Sequence, residues 1–90
     1  MAIQIHIPTP MRPHTDNLAV VEVKGSTVQG ALDDLGAQFP ALVQRVFENG
    51  QVRRFINIYL NDEDIRYLDN LKTQLKDGDS LSIIPAVAGG

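Results

Sequence analysis

Three features of this 90-residue chain predict an α+β fold, a mixed sheet of four to five strands with one main helix packed across it. Ile3, Ile5 and Ile7 alternate with Gln4 and His6, and Ile56, Ile58 and Leu60 alternate with Asn57 and Tyr59, the period of two of strands with one buried face. Between these runs Val28, Ala31, Leu32, Leu35 and Phe39 recur at helical spacing. A last β-rich run, Ser80-Leu81-Ser82-Ile83-Ile84, meets Pro85, which has no N–H for a neighbouring strand. The domain is therefore expected over 1–85, with 86–90 leaving it as a flexible tail.

Taken in order, the first strand is stopped by Pro8-Thr9-Pro10-Met11-Arg12-Pro13, whose three prolines are read as a stiff loop. Asp16-Asn17 supplies turn chemistry before a second strand over Leu18–Lys24, expected to pair antiparallel with the first. Ser26-Thr27-Val28-Gln29 reads as a capping box with Ser26 at the N-cap. Gly30 costs about 1 kcal/mol against Ala inside that helix, and the sequence offers no packing reason for it. Pro40 suits the first turn of a short second helix carrying Leu42, Val43, Val46 and Phe47, which Glu48-Asn49-Gly50 ends. A strand follows over Arg53–Leu60, then an acidic turn Asn61-Asp62-Glu63-Asp64 and a short strand Ile65–Tyr67. Leu71 and Leu75 fold back over the core, and Asp77-Gly78 turns the chain into the final strand.

Composition excludes several functions. A domain this small leaves little room for an enzymatic cleft. The net charge of −3 argues against nucleic acid, which calls for a clustered basic face. With no apolar run near 18 residues and no leader, neither a membrane span nor export is expected, and a cytoplasmic setting is. The absence of cysteine removes disulfides, thiolate metal sites and a cysteine nucleophile. His6 and His14 lack partners at ligand spacing, and Asp62, Glu63 and Asp64 lack the glycine and terminal glutamate of a Ca²⁺ loop, so no metal site and no bound cofactor is expected. Ser26 and Thr27 are explained by capping, and no Walker-type phosphate loop is present.

The chemistry is instead expected at the end of the chain. Val87, Ala88 and Gly89 are small enough to thread a narrow channel and present the carboxylate of Gly90. Pro85-Ala86-Val87-Ala88-Gly89-Gly90 after a strand, with Leu75-Lys76-Asp77-Gly78-Asp79 before it, resembles the ubiquitin-like sulfur carriers of the ThiS/MoaD family. Ile7–Thr15 and Arg54–Asp64 narrow the resemblance to the CysO branch, linked to cysteine biosynthesis. The resemblance implies the β-grasp fold, with first and last strands as parallel neighbours at the sheet centre. It also implies that an E1-like activating enzyme of the MoeB/ThiF type, using ATP and Mg²⁺, adenylates and thiocarboxylates Gly90. The sulfur would then pass to an acceptor on a cysteine synthase-type enzyme, with a metal-dependent peptidase releasing the product. The chain itself would be a co-substrate and not an enzyme. A protein modifier joined to lysines and the small subunit of molybdopterin synthase are the alternatives with the same kind of tail.

Strand phase supplies a docking surface for such partners. If Leu81 and Ile83 face the helix, Ile84 points to the open face with Tyr59 or Phe55, beside Pro85. Arg12, Arg53, Arg54 and Arg66 read as a basic rim for an acidic partner, or equally as solvated side chains.

Overall fold

The computed structural model describes residues 2–85. Strand β1 (Ala2–His6) lies antiparallel to β2 (Val20–Lys24) and parallel to β7 (Ser80–Pro85). β7 in turn pairs antiparallel with β5 (Ile56–Leu60), and the two-residue β6 (Glu63–Asp64) completes the order β2-β1-β7-β5-β6. This is the β-grasp arrangement, with the two parallel strands at the sheet centre. The alternation read in the sequence holds: Ile3, Ile5, Val21, Val23, Ile58, Leu81 and Ile83 are buried against the helices, while Gln4, His6, Glu22 and Ile84 face the other way into solvent.

Helix α1 (Val28–Gln38) lays Val28, Ala31, Leu32 and Leu35 onto that apolar face, and α2 (Pro40–Val46) adds Leu42 and Val46, with Pro40 in its first turn. Fully burying a side chain of this kind contributes about 1.5–3 kcal/mol, so this one cluster holds sheet and helices together. Among the described residues no helix is long and apolar enough to cross a membrane.

Five local readings are corrected. The N-cap is Thr27, whose Oγ1 accepts the Gly30 N–H at 3.1 Å, and not Ser26. The Ser26 carbonyl is held by the Leu75 N–H at 2.9 Å, in an extended stretch that ties the helix start to the segment before β7. The proline-rich segment Thr9–Thr15 is a 3₁₀ helix, with Pro10 in its first turn, where the missing N–H has no partner to lose, and Pro13 inside it. Ile65–Tyr67 is a 3₁₀ turn and not a strand, and the short strand falls on Glu63–Asp64 before it. Finally, Asn49-Gly50 (φ +55° and +79°) does more than stop α2: it is the tight turn of a small hairpin, β3 (Phe47–Glu48) with β4 (Gln51–Val52). Strand β5 accordingly starts at Ile56 and not at Arg53.

The structure shows a steric need for glycine at Gly25 and none at Gly30. Gly25 runs so close to the helix that a Cβ there would meet Ala31 N at 2.5 Å and Gly30 C at 2.9 Å, whereas a Cβ on Gly30 would lie 3.4 Å from Thr27 Oγ1 and 3.8 Å from Gly25 Cα, in ordinary contact. The strand-to-helix turn is closed by the backbone of Gly25 packing on the backbone of the first helical turn.

Candidate functional site

The residues expected to carry the chemistry, Val87, Ala88, Gly89 and Gly90, lie outside the described residues, and what the structure resolves is the platform from which they continue. Because β1 and β7 are parallel, the end of β1, with the 3₁₀ helix bearing Arg12, lies at the same end of the sheet as Pro85. Because β5 is antiparallel to β7, the Arg53-Arg54-Phe55 turn that opens β5 lies there too, with Ile56 directly opposite Pro85. The acidic turns are carried to the far end. The Ala2 N–H donates to Asp77 there, and the Asn61 side-chain amide donates to Asp79. Topology thus gives a chain of net charge −3 an arginine-bearing end where the tail begins.

Ile84 is 41% exposed, on the open sheet face, and pairs with Asn57. Tyr59, two residues along β5 and therefore on the same face, is half-buried opposite Ser82. Phe55 is exposed in the turn before β5, with the Arg54 guanidinium 5.8 Å from its ring centroid, within cation–π range. Pro85 is half-buried. Ile84, Tyr59, Phe55 and Pro85 therefore gather around the root of the tail as one mixed apolar and aromatic surface, which Val20 and His6 extend across β1 and β2.

The arginines do not act as one set. Arg12 is half-buried and donates from Nε to the Ile7 carbonyl at 3.1 Å, latching the 3₁₀ helix to the strand it follows. Arg53 donates to the Gln44 carbonyl and sits 3.6 Å from Glu48. Arg66 is engaged with Asp64 at 2.7 Å. Arg54 alone of the four has only an aromatic ring beside it among the described residues, which makes it the arginine best placed to meet a partner.

Asp64, expected in a solvated polar turn, is only 5% exposed. Its carboxylate accepts from the Arg66 backbone N–H at 2.9 Å and from the guanidinium of the same residue. The bonds to the Arg66 side chain hold its carboxyl below the ordinary carboxylate range, against burial, which works in the opposite sense. The spacing Asp-x-Arg, with an Asx-type turn between the two, was the available sequence signal. Among the described residues no three His, Cys, Asp or Glu side chains gather as a metal set.

The model of the ThiS family matches residues 5–90. Sulfur carrier protein CysO of Mycobacterium tuberculosis is 42% identical over 93 residues, covering all of both chains. In the crystal structure of the BexX/CysO complex from Amycolatopsis orientalis a chain 43% identical superposes with a TM-score of 0.92, covering 98% of this chain and 99% of that one. Small archaeal modifier protein 3 of Haloferax volcanii is 38% identical over 65 residues, 72% of this chain and 71% of that one.

Proposed function

We infer, given that the chain belongs to the ThiS family, that it is a sulfur carrier of the CysO type serving cysteine biosynthesis. The observation that carries this reading is full-length identity of 42% to a sulfur carrier, on a chain that ends in Pro-Ala-Val-Ala-Gly-Gly. The reacting group is the Gly90 carboxylate. At neutral pH a carboxylate is a poor electrophile, so one of its oxygens first attacks the α-phosphorus of ATP. Pyrophosphate leaves and an acyl adenylate forms. A sulfide equivalent then adds to the acyl carbon and AMP leaves with the C–O bond's electron pair, giving the thiocarboxylate. ATP and Mg²⁺ belong to an E1-like activating enzyme, whose cationic groups meet the phosphate charge.

The chain's part is that of a cytoplasmic protein co-substrate: it presents the carboxylate on small residues and offers Ile84, Tyr59, Phe55 and Arg54 as the surface by which partners hold its root. A cysteine synthase-type enzyme is the acceptor this reading favours, followed by a metal-dependent peptidase. That a CysO chain was crystallised in complex with BexX supports the use of a partner enzyme. The test is the intact mass after incubation with ATP, Mg²⁺, a sulfide donor and the activating enzyme from the same cell. Exchange of one oxygen for one sulfur is expected, localised to Gly90, and an unchanged mass refutes the reading. Similarity to a small archaeal modifier protein favours one second reading, conjugation to lysines, which Gly-Gly remnants on target lysines after protease digestion would reveal.

A further inference from the structure

The basic side chains are sorted by type between the two ends of the sheet. The five arginines belong to the end where β7 finishes. Arg12 sits on the 3₁₀ helix that follows β1, and Arg45 on α2, which packs against that helix. Arg53 and Arg54 lie in the turn before β5, and Arg66 lines one cleft with them and with Ile56. The three lysines belong to the other end, and all are exposed. Lys24 closes β2 opposite Ala2. Lys76 lies just before Gly78, whose N–H reaches the Ala2 carbonyl at 3.0 Å. Lys72 is placed by the next residue, Thr73, whose carbonyl accepts the N–H of Val28 at the start of α1.

The separation exceeds the reach of residues 86–90. Pro85 follows Ser80 by five residues, and Ala2 precedes Gln4, the partner of Ser80, by two, so Lys24 and Pro85 stand seven strand steps apart, about 23 Å. Two strand spacings, about 10 Å, lie across that path. Five residues fully extended span about 17 Å, and β7 runs away from the lysine end. Lys72 follows Leu71 on the cleft wall, but α1 puts eleven residues, about 16 Å of helix, between Val28 and the end that leads into α2. Arg54, by contrast, is two residues from Ile56, the partner of Pro85, which brings its Cα within about 13 Å of Pro85.

An activated acyl group meets nucleophiles according to their local concentration, which a short tether raises to about the millimolar range. A lysine amine attacks the acyl carbon, the leaving group departs with the bond's electron pair, and the amide that remains is permanent. A guanidinium keeps its proton at every physiological pH and has no electron pair to offer. Cysteine, a stronger nucleophile still, is absent from the sequence. His6 and His14 do lie at the arginine end, but an acyl-imidazole hydrolyses back to the carboxylate, which can be activated again. Arg12, Arg53 and Arg66 use the guanidinium for their hydrogen bonds to Ile7, Gln44 and Asp64. Arg54 has no such use among the described residues, and over the ring of Phe55 a lysine ammonium would serve as well.

We propose that the end of the domain where the tail begins is a cationic surface without amines, so that the activated Gly90 carboxyl is taken by sulfide and not by the chain's own lysines, and that Arg54 is the residue at which this selectivity is set. The proposal rests on activation of Gly90, as inferred above. Its test bypasses the activating enzyme, so either can fail without the other.

The full chain is prepared with Gly90 as a thioester, by thiolysis of an intein fusion, alongside the same thioester of Arg54→Lys, both shown folded by their unfolding curves. Each is held dilute at mildly alkaline pH and followed by intact mass, in which a lactam is lighter than the hydrolysed acid by one water. Lactam formation joins a lysine nitrogen to the acyl carbon, and the thiol leaves with the electron pair of the C–S bond and the proton from nitrogen. Added methylamine, which consumes both thioesters, shows that the acyl group is competent. The Arg54→Lys chain is expected to form a lactam at least about tenfold faster than the parent, with digestion mapping the link to position 54. The parent is expected to lose its thioester by hydrolysis. A parent that forms a lactam with Lys24, Lys72 or Lys76 at a comparable rate would overturn the proposal, because those amines would then be within reach. An Arg54→Lys thioester that methylamine consumes but that does not cyclise overturns it equally.

Discussion

Replacing Ile84 by Asp is expected to weaken docking of the activating enzyme more than it weakens the fold, and the structure sets both magnitudes. Ile84 is 41% exposed and its neighbour Ile83 is 2% exposed, so the two side chains occupy opposite faces of the last strand. Burial of a whole isoleucine contributes about 1.5–3 kcal/mol, and the three-fifths already covered in the free protein corresponds to roughly 0.9–1.8 kcal/mol of folding stability. The exposed two-fifths leaves roughly 0.6–1.2 kcal/mol for a partner to gain. An aspartate in that contact would also be desolvated without a partner, at a further cost of about 1–3 kcal/mol. The sum is about 2 kcal/mol or more, on the order of a thirtyfold loss of affinity.

Chemical unfolding of the variant and its affinity for the activating enzyme should be measured in parallel, with Ile83→Ala as the buried control. That control is expected to cost about 2–5 kcal/mol of stability. Loss of about 3 kcal/mol or more in Ile84→Asp would mean that the side chain belongs to the core. Unchanged affinity in a folded variant would remove the open sheet face from the docking surface.

Deleting Gly90, or adding a residue after it, is expected to abolish pyrophosphate release by the activating enzyme with no change in the unfolding curve, because the reacting group is the α-carboxylate itself; normal release from the truncated chain would refute this. Gly89→Val is expected to change stability by less than about 0.5 kcal/mol and activation by about a hundredfold, with Gly89→Ala intermediate, as pyrophosphate release can establish. Gly25→Ala is expected to lose about 1–3 kcal/mol, since its Cβ would strike Ala31 N at 2.5 Å, lowering the melting temperature by roughly 4–8 °C for each kcal/mol; a melting temperature equal to the parent's would contradict the close approach. Asp64 titrates below its ordinary value in the folded protein, so the stability it contributes is full at neutral pH and is lost as pH falls through the ordinary carboxylate range toward the folded-state value. An Asp64→Asn variant should accordingly lose less stability than the parent on acidification, and parallel acid-unfolding curves would expose the error.

What the sequence determined by itself is local. The period of two placed Ile3, Ile5, Ile58, Leu81 and Ile83 in the core and Ile84 outside it, because successive side chains of a strand must point to opposite faces. The helical stripe from Val28 to Leu35 was legible for the same kind of reason, and the small residues before Gly90, on which the proposed chemistry rests, are visible without any fold. The pairing of β1 with β7, residues 76 positions apart, left no mark in either strand, and only the resemblance to a family supplied it. Capping by Thr27 in place of Ser26 goes with the Leu75 N–H holding the Ser26 carbonyl, and the need for glycine at 25 depends on how closely strand and helix approach. Likewise Asp64, one acid among several in its turn, became a buried partner of Arg66 only when the turn folded against β5. Hydrogen-bond partners, burial of a charge and the closing of the β2 edge by α1 are set by distances between segments remote in sequence. Tertiary packing alone fixes those distances.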